Sequence, residues 1–326
     1  MIEEIATNLF RVEVPLPDNL LRSINSYIIK ASERDLIIDP GMNREECLNV
    51  MRASLNKLRI DLRRTDFFIT HFHVDHFSLV LNLATEESTI YFNRPDMGIV
   101  DRIRRGTFGE DITHFTFLSG FPENALKEIL DFDADSYYRF ERRLPFKMME
   151  DGDTIITGNY VFKCLRTSGH TEGHTCLFEP NKKMLISGDH LLGDITPSIQ
   201  LRSADGNPLE KYLESLDKVY DLDIDLVLPG HRGPFRKCKE RIRELKKHHQ
   251  ERADEVTSIL EKGSQNAYQV ASQMTWDVNF DSWDVFPVLH KWFATGEAIA
   301  HLKYLEEKGT IRKEMREQKI FYSLNP

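Results

Sequence analysis

The chain has 326 residues, of which 40% are hydrophobic and 29% charged, and its net charge of −9 argues against a surface adapted to nucleic acid. No apolar run approaches the roughly 18 residues of a membrane span, and the acidic start MIEEIATNLF lacks the basic and apolar regions of a secretory signal. Four scattered cysteines without Cys-x-x-Cys spacing predict reduced, buried thiols in a cytoplasmic protein.

The first 83 residues alternate between predicted strands and helices. Short apolar runs rich in β-branched residues predict three strands, NLFRVEVPL, INSYIIK and DLIID. Residues 43–59 have apolar positions at helical spacing behind Asn43, which predicts a helix capped by that asparagine. TDFFIT predicts a buried strand and HFSLVLNLA a helix. The polar stretch that joins them lies where α/β sheets commonly carry active-site residues.

Residues 94–147 interrupt this alternation, and we expect a helical insertion made of short helices. One interpretation is an insertion with a small core of its own. The other is a lid or a wall of the substrate pocket, because long connections near active sites often serve as lids. The aromatic residues that such a core or wall would use are Phe108, Phe115, Phe117, Phe121, Phe132, Tyr137, Tyr138 and Phe140.

Strand patterns return after residue 153. The runs DTIITG, YVFKCLRTSG, HTCLFEP, KKMLISGD and DIDLVLPG predict five strands, with a helix near 208–220 before the last. This series repeats the scheme of the first one. We therefore infer an α/β fold in which two sheets form a sandwich flanked by helices.

The stretch THFHVDHFS, residues 70–78, crowds His71, His73, Asp75 and His76 into six positions. Chance produces this pattern in roughly one such chain in a thousand. Three imidazoles confined to one turn repel one another when they are protonated, whereas a shared cation holds them neutral and oriented. The stretch therefore predicts a metal site.

Three later motifs each follow a predicted strand. TSGHTEGH contains His170 and His174, ISGDHLL contains Asp189, and LPGHRGPF contains His231. A carboxylate has two oxygens and can join two neighbouring cations, which is a role that suits Asp189. Together the three motifs supply, in chain order, the ligands that the first cluster lacks.

The succession HFHVDH, GHTEGH, SGDH and PGH resembles the metallo-β-lactamase superfamily of hydrolases, over residues 1 to about 235. This resemblance implies an αββα sandwich with two divalent metal ions in a cleft at one edge. Zinc fits a set of histidines and aspartates, and iron or manganese would also accept it. By resemblance, the ligands of the first ion are His71, His73 and His170, those of the second are Asp75, His76 and His231, and the bridge is Asp189.

Other polar residues near these motifs have expected supporting or ordinary roles. Asp39, in IIDPG, is expected to hydrogen-bond a ligand histidine rather than to bind metal. His174 is expected to be structural or to support a ligand, and His190 to point away from the metals. Arg232 fits a cleft or a surface turn equally well. The histidines expected to be ordinary surface or core residues are His114, His248, His249, His290 and His301.

Residues 235–326 are predicted to form a small module after a metallo-hydrolase domain of residues 1–234. Three helical patterns and a terminal hairpin pattern resemble a winged helix. The segment ATGEAIAHLKYLEEKGTIRKE resembles one in a superfamily branch that includes hydroxyacylglutathione-hydrolase-like proteins and a ribonuclease. Glu297, Glu306 and Glu307 disfavour phosphate contact by the third helix. We therefore expect the module to pack against the catalytic domain or a homodimer partner.

The expected chemistry is hydrolysis by water whose pKa two cations lower, with Asp75 orienting that water and accepting its proton. No Gly-x-Ser-x-Gly motif or nucleotide P-loop indicates another mechanism. The acidic domain, the aromatic insertion and SGDHLLGDITP, which resembles glyoxalase-II-like relatives, favour a small acyl substrate: a thioester, ester or lactone. A metal-dependent nuclease, a mononuclear-iron sulfur dioxygenase and a non-enzymatic regulator are the alternatives. A complete second set with His76 and His231 argues against the dioxygenase.

Overall fold

A computed structural model describes residues 1–17, 19, 21–130, 137–138, 144–201, 203–277 and 282–326, apart from the side chains of residues 110, 111 and 130. The first sheet has its seven strands in chain order. Pairs are antiparallel from the first strand to the fourth and parallel from the fourth to the seventh. The strands are β1 (Ile2–Ala6), β2 (Leu9–Pro15), β3 (Ser23–Ile29), β4 (Asp35–Ile38), β5 (Thr65–Phe68), β6 (Ile90–Asn93) and β7 (Phe146–Met149).

The second sheet has the strand order β12-β11-β10-β9-β8. Its pairs are antiparallel except for the pair of β11 and β12, which is parallel. These strands are β8 (Thr154–Thr157), β9 (Tyr160–Arg166), β10 (Thr175–Glu179), β11 (Met184–Gly188) and β12 (Leu226–Pro229).

The two sheets pack face to face around a buried apolar layer, with helices on both outer faces. Strand β3 shows how the sequence builds these layers, because its side chains alternate between two cores. Tyr27 and Ile29 enter the layer between the sheets, where they join Phe162. Ile24 and Ile28 enter the core beneath the helices of the first sheet. The predicted sandwich with flanking helices is confirmed.

The outer helices cover one sheet each. On the first sheet lie α1 (Glu45–Leu58) and the short turns α2 (Val74–Phe77) and α3 (Val80–Leu83). On the second lies α7 (Pro208–Tyr220). The predicted asparagine cap of α1 is wrong. The cap position is Arg44, which makes no capping hydrogen bond with its side chain, while the Asn43 N–H donates to the Ser78 hydroxyl.

The insertion between β6 and β7 consists of three described helices, α4 (Arg94–Arg104), α5 (Phe108–Leu118) and α6 (Glu123–Leu130). Val100 and Tyr138 join the core of the first sheet, whereas Phe115 joins the C-terminal core. Tyr138 and Phe115 therefore share the cores of neighbouring parts of the chain. Phe132 and Phe140 lie outside the described residues.

The C-terminal segment has three further helices and a small sheet of order β13-β15-β14. Its elements are α8 (Cys238–Leu260), β13 (Gln265–Asn266), α9 (Ala267–Ala271), α10 (Val288–Glu307), β14 (Ile311–Arg316) and β15 (Lys319–Leu324). Helix α8 contributes Ile242 and Leu245 to the core of the second sheet, and Val256 and Ile259 to the C-terminal core. One helix thus joins both cores, and the domain boundary at 234 stays a prediction.

Two properties predicted from composition can be compared with this structure. All four cysteines are buried and free. Among the described residues, no helix combines the length and the apolar character that crossing a bilayer requires.

Candidate metal centre

The candidate ligands lie where strands end at one edge of the sandwich. His71 and His73 follow β5, and His73 is the residue immediately before α2, which contains Asp75 and His76. His170 lies in the loop from β9 to β10. Asp189 follows β11 directly and His231 follows β12. Parallel strands bring their carboxyl ends to the same edge of a sheet, which is why residues so distant in sequence meet here.

A first cluster consists of three imidazoles whose ring nitrogens converge. Nδ1 of His73 lies 3.0 Å from Nε2 of His71 and 3.0 Å from Nε2 of His170. Burial is the main cause that lowers the pKa of all three histidines, that of His73 to about 3. Neighbouring histidines add to this effect at His71 and His73, whereas Asp189 opposes it at His170. Neutral rings can place three lone pairs around one cation, but they cannot all hydrogen-bond to one another. The arrangement fits a metal ion.

The ring nitrogens on the far side have partners that fix these tautomers. Nδ1 of His170 donates to the Ser198 carbonyl over 2.8 Å, and Nδ1 of His231 donates to the Ser23 carbonyl over 2.8 Å. Nδ1 of His71 lies 3.0 Å from the Thr70 hydroxyl. When these rings are neutral, the proton is on Nδ1 and the lone pair of Nε2 is available to a metal.

A second cluster consists of Asp75, His76 and His231. Their ligand atoms all lie within 4.8 Å of one another. Oδ2 of Asp75 is 3.3 Å from Nε2 of His231 and 3.8 Å from Nε2 of His76. Within the described part of the chain, both of these Nε2 atoms and Oδ1 of Asp189 are buried without a hydrogen-bond partner. Buried polar atoms are seldom left so, and a cation at this position would satisfy them.

Asp189 lies between the two clusters. One of its oxygens is 3.5 Å from Nε2 of His76. The other is 3.5 Å from Nε2 of His231 and 3.6 Å from Nε2 of His170. The carboxylate therefore faces donors from both groups, which is the position that a bridging ligand needs.

The electrostatics of the second cluster are opposite to those of the first. Burial lowers the pKa of His231, but Asp189 and Asp75 outweigh it and raise that pKa to about 10. The pKa of His76 is raised for the same reason, against the effect of burial. Burial raises the pKa of Asp75, but the adjacent His76 and His231 outweigh burial and bring this pKa below its usual value. The Asp75 and Asp189 carboxylates thus favour positive charge in the second cluster. A divalent cation can supply that charge in place of the protons on the His76 and His231 rings.

Asp39 supports His76 and the start of the loop that carries His71 and His73. Its Oδ2 accepts from Nδ1 of His76 over 2.8 Å and from the Thr70 hydroxyl over 2.7 Å. Its Oδ1 accepts from the Thr70 backbone N–H over 2.8 Å. Asp39 lies in none of the three groups of potential ligands found among the described residues.

The remaining histidines lie outside these clusters. His174 bonds to Thr167 and to the backbone of Asp189, and His190 packs its ring against Tyr212 at 5.3 Å between centroids. His249 and His301 form a buried pair, with Nδ1 of one 3.3 Å from Nε2 of the other. The residue pattern did not indicate this pair, since the two are 52 positions apart. Of the other three histidines, His114 is exposed on α5, and His248 and His290 are partly exposed. Arg232 is exposed beside His231.

The insertion reaches the metal centre at Phe72, between His71 and His73. The ring of Phe108 lies 6.5 Å from the ring of Phe72, edge to face. The Tyr138 hydroxyl donates to the Phe72 carbonyl over 2.8 Å. His73, Asp75 and His170 are the partly exposed members of the two clusters, so solvent reaches the site from their side.

Sequence reasoning missed one buried acid beside the ligands, Asp96 of α4. Its carboxylate contacts the loops of both His71 and His170. The signal was present: Asn93 and Pro95 mark a helix start, and this start follows β6, the parallel neighbour of β5. A polar residue there faces the same edge as the ligands.

Comparisons with known proteins agree with this geometry. A profile of the family described as the Metallo-beta-lactamase superfamily matches residues 20–231. The probable metallo-hydrolase YqjP of Bacillus subtilis is 24% identical over 325 residues, covering 93% of this chain and 94% of that protein. The human acyl-coenzyme A thioesterase MBLAC2 is 24% identical over 227 residues, covering 65% of this chain and 74% of its own.

Two further similarities concern a thioesterase and a solved structure. The atrochrysone carboxyl ACP thioesterase of Aspergillus fumigatus is 23% identical over 243 residues, covering 74% of this chain and 61% of that protein. The crystal structure of a beta-lactamase domain protein from Burkholderia ambifaria superposes with a TM-score of 0.86 at 23% identity, over 99% of this chain and 94% of that one. At this identity the superposition shows that the two chains share a fold.

Proposed function

The chain belongs to the metallo-beta-lactamase superfamily and is a metal-dependent hydrolase, and from that premise we propose that it hydrolyses a small acyl substrate, first of all a thioester, at a centre of two divalent cations. The observation that carries the proposal is the position of Asp189, whose two oxygens face donors of both clusters. An ester or a lactone is the next substrate class, because the same attack on a carbonyl applies to them.

Seven side chains would hold the cations. His71, His73 and His170 would bind the first, Asp75, His76 and His231 the second, and Asp189 both. Zinc suits this set of nitrogen and oxygen donors, and iron or manganese would accept it. Bound cations lower the pKa of a water molecule towards neutrality and polarise the carbonyl that it attacks.

Asp75 is proposed to act on the attacking water. The carboxylate is partly exposed, so it faces the side from which substrate arrives. Against the effect of burial, His76 and His231 keep its pKa low, so the group is a carboxylate at neutral pH and can accept a proton. Its Oδ2 lies 3.3 Å from Nε2 of His231, beside the proposed position of the second cation. Asp75 therefore can orient the water and take its proton.

The surroundings favour attack on an uncharged acyl carbonyl over attack on the phosphates of a nucleic acid. Acidic residues outnumber basic ones in residues 1–234, and this charge balance disfavours binding of nucleic acid. Phe108 and Tyr138 reach Phe72 beside the ligands, which supports the insertion as a wall of the substrate pocket. Two of the relatives bear the name of thioesterases, one for acyl-coenzyme A and one for an acyl carrier protein.

The sulfur dioxygenase alternative has less support, because Asp75, His76 and His231 form a second group beside the first. Among the weaker expectations, a cytoplasmic location, a homodimer and a winged-helix role for the C-terminal segment stay predictions.

Elemental analysis of the purified protein and a panel of substrates test this proposal together. The panel contains acyl-coenzyme A thioesters, lactones, phosphodiesters and RNA. We expect two equivalents of metal and thioester turnover that Asp75→Ala reduces at least a hundredfold. Asp223→Ala is the matched control, since this exposed acid pairs with Lys183 before β12, at the opposite edge of the sheet. RNA cleavage that depends on Asp75, without acyl turnover, would overturn the proposal.

A further inference from the structure

Asp96 is a wholly buried carboxylic acid in the first turn of α4. Helix α4 begins directly after β6, and the Asn93 side chain caps it by accepting the Asp96 backbone N–H over 2.8 Å. The N-terminus of a helix favours a negative charge, so this position suits a carboxylate. The hydrolytic role proposed above assigns nothing to this residue.

The Asp96 carboxylate accepts three hydrogen bonds from two different loops. Oδ2 accepts from the Phe72 backbone N–H over 3.0 Å and from the Thr171 hydroxyl over 2.8 Å. Oδ1 accepts from the Gly173 backbone N–H over 2.8 Å. Phe72 lies between His71 and His73, and Thr171 follows His170. One side chain therefore ties together the two loops that carry all three histidines of the first cluster.

The packing around Gly173 shows how closely α4 approaches the second loop. A Cβ atom at Gly173 would lie 1.7 Å from Oδ1 of Asn93 and 2.7 Å from Oδ1 of Asp96. Both distances are far inside van der Waals contact, so only glycine fits. The loop of His170 is therefore built against the start of α4, and Asp96 is the group that meets it.

The Asp39 and Asp96 carboxylates support different parts of the candidate metal centre. Asp39 bonds to His76 and Thr70 and thus supports the start of the His71 loop and the second cluster. The Asp96 carboxylate hydrogen-bonds to Phe72, Thr171 and Gly173, which lie beside the ligands in sequence. Loss of its bonds would let the two loops move apart, and the nitrogens of His73 and His170 would no longer meet at 3.0 Å.

We propose that Asp96 is a positioning residue that holds the loop of His71 and His73 against the loop of His170, and so sets the affinity and geometry of the first metal site. This inference rests on the proposed two-cation centre. Outer partners of this kind typically change metal affinity by about 10- to 100-fold when they are replaced.

Cobalt(II) binding to the metal-free full-length chain tests the role without any substrate. The visible absorption of bound cobalt reports ligand geometry, and competition with a chelator gives the affinity of each site. In Asp96→Asn the new amide N–H₂ would face either the Gly173 N–H or the donors at Phe72 and Thr171. We expect about 10- to 100-fold weaker binding at the first site and an altered spectrum there.

Asp66→Asn is the matched control. Asp66 is a buried carboxylate in β5 that accepts from Thr89 and Arg34, away from the ligand loops. This variant should lose thermal stability in the metal-free form but keep wild-type cobalt affinity and spectrum. Thr171→Val removes one of the three bonds and should weaken the first site, whereas Thr171→Ser keeps the hydroxyl and should restore it.

The outcomes separate this inference from the proposed function. Wild-type cobalt binding in folded Asp96→Asn contradicts the positioning role alone. If Asp96→Asn does not fold, unchanged cobalt binding in Thr171→Val contradicts it equally. A wild-type chain that binds no cobalt contradicts the two-cation centre itself, and the role of Asp96 with it.

Discussion

The backbone N–H of Asp189 donates a hydrogen bond to Nε2 of His174 over 3.1 Å. Nδ1 of the same ring lies 2.8 Å from the Thr167 hydroxyl, so the proton of the neutral imidazole is on Nδ1. Burial lowers the pKa of His174 far below its usual range, which keeps Nε2 an acceptor. His174 thus holds in place the residue whose carboxylate faces both clusters.

Replacing His174 is expected to destabilise the protein through Asp189. His174→Leu leaves the buried N–H of Asp189 without an acceptor, which costs about 1–3 kcal/mol. Chemical unfolding of the metal-free variant measures this loss. His174→Gln is the control, because its Oε1 can accept at the same place and should recover much of the stability. Equal stability of the leucine and glutamine variants would contradict the assignment.

Removal of the cations is expected to abolish hydrolysis and to lower the melting temperature. A ligand that binds only the folded chain at a hundred times its dissociation constant adds about 2.7 kcal/mol. For a chain of this size that corresponds to roughly 4 °C. Calorimetry before and after dialysis against a chelator measures the shift, and added zinc, iron or manganese shows which ion restores it. A melting curve unchanged in verified metal-free protein would oppose the proposal.

Asp39→Asn is expected to weaken metal binding mainly at the second cluster. The carboxylate accepts from His76 and from Thr70, and an amide cannot accept all three of those bonds. We expect about 10- to 100-fold weaker binding at that site by chelator competition. The comparison with Asp96→Asn decides the assignment, because the two variants should weaken different sites. Identical binding defects in the two variants would contradict the assignment of Asp39 to the second site and Asp96 to the first.

Glu297 is expected to make stability depend on pH. Burial in the C-terminal segment raises the pKa of its carboxyl to about 7, against the opposing effect of the Arg252 guanidinium. His301, whose Nδ1 bonds to the Glu297 carbonyl, stays neutral near pH 7 because burial lowers its pKa to about 4. The folded chain therefore binds the Glu297 proton more tightly than the unfolded chain, and the free energy of unfolding falls as pH rises from about 4.5 to about 7.

Glu297→Gln removes this contribution. Between pH 5 and pH 8, the melting temperature of the wild type should fall more than that of the variant. Both proteins are measured in metal-free form, because metal binding has a pH dependence of its own. Differential scanning calorimetry at four pH values measures the difference. Parallel curves for the two proteins would show that the Glu297 carboxyl titrates alike in the folded and unfolded chains.

Local pattern was sufficient for the architecture and the helices of the insertion. The alternation of Ile24 and Ile28 with Tyr27 and Ile29 predicts a strand buried on both faces, because side chains of a strand point alternately to its two sides. The order of the histidine and aspartate motifs indicated the superfamily, and the predicted sandwich is confirmed. Strands β1, β6 and β7 were not predicted, since runs of four or five residues carry too little pattern to indicate a strand.

The sequence by itself determined which residue types could bind metal and which segments could be strands, because both depend on neighbours a few positions apart. Only the tertiary structure decided that Asp189 faces nitrogen atoms of both clusters and that His174 holds the Asp189 backbone. It also decided that Asp96 joins the loops of His73 and His170, two residues that are 97 positions apart. It also decided that α8 serves two cores. These relations depend on how two sheets stack and in which order parallel strands pair. Many different arrangements of the same strands and helices would have the same local periodicity. The contacts form only in the arrangement that buries the apolar faces of both sheets together.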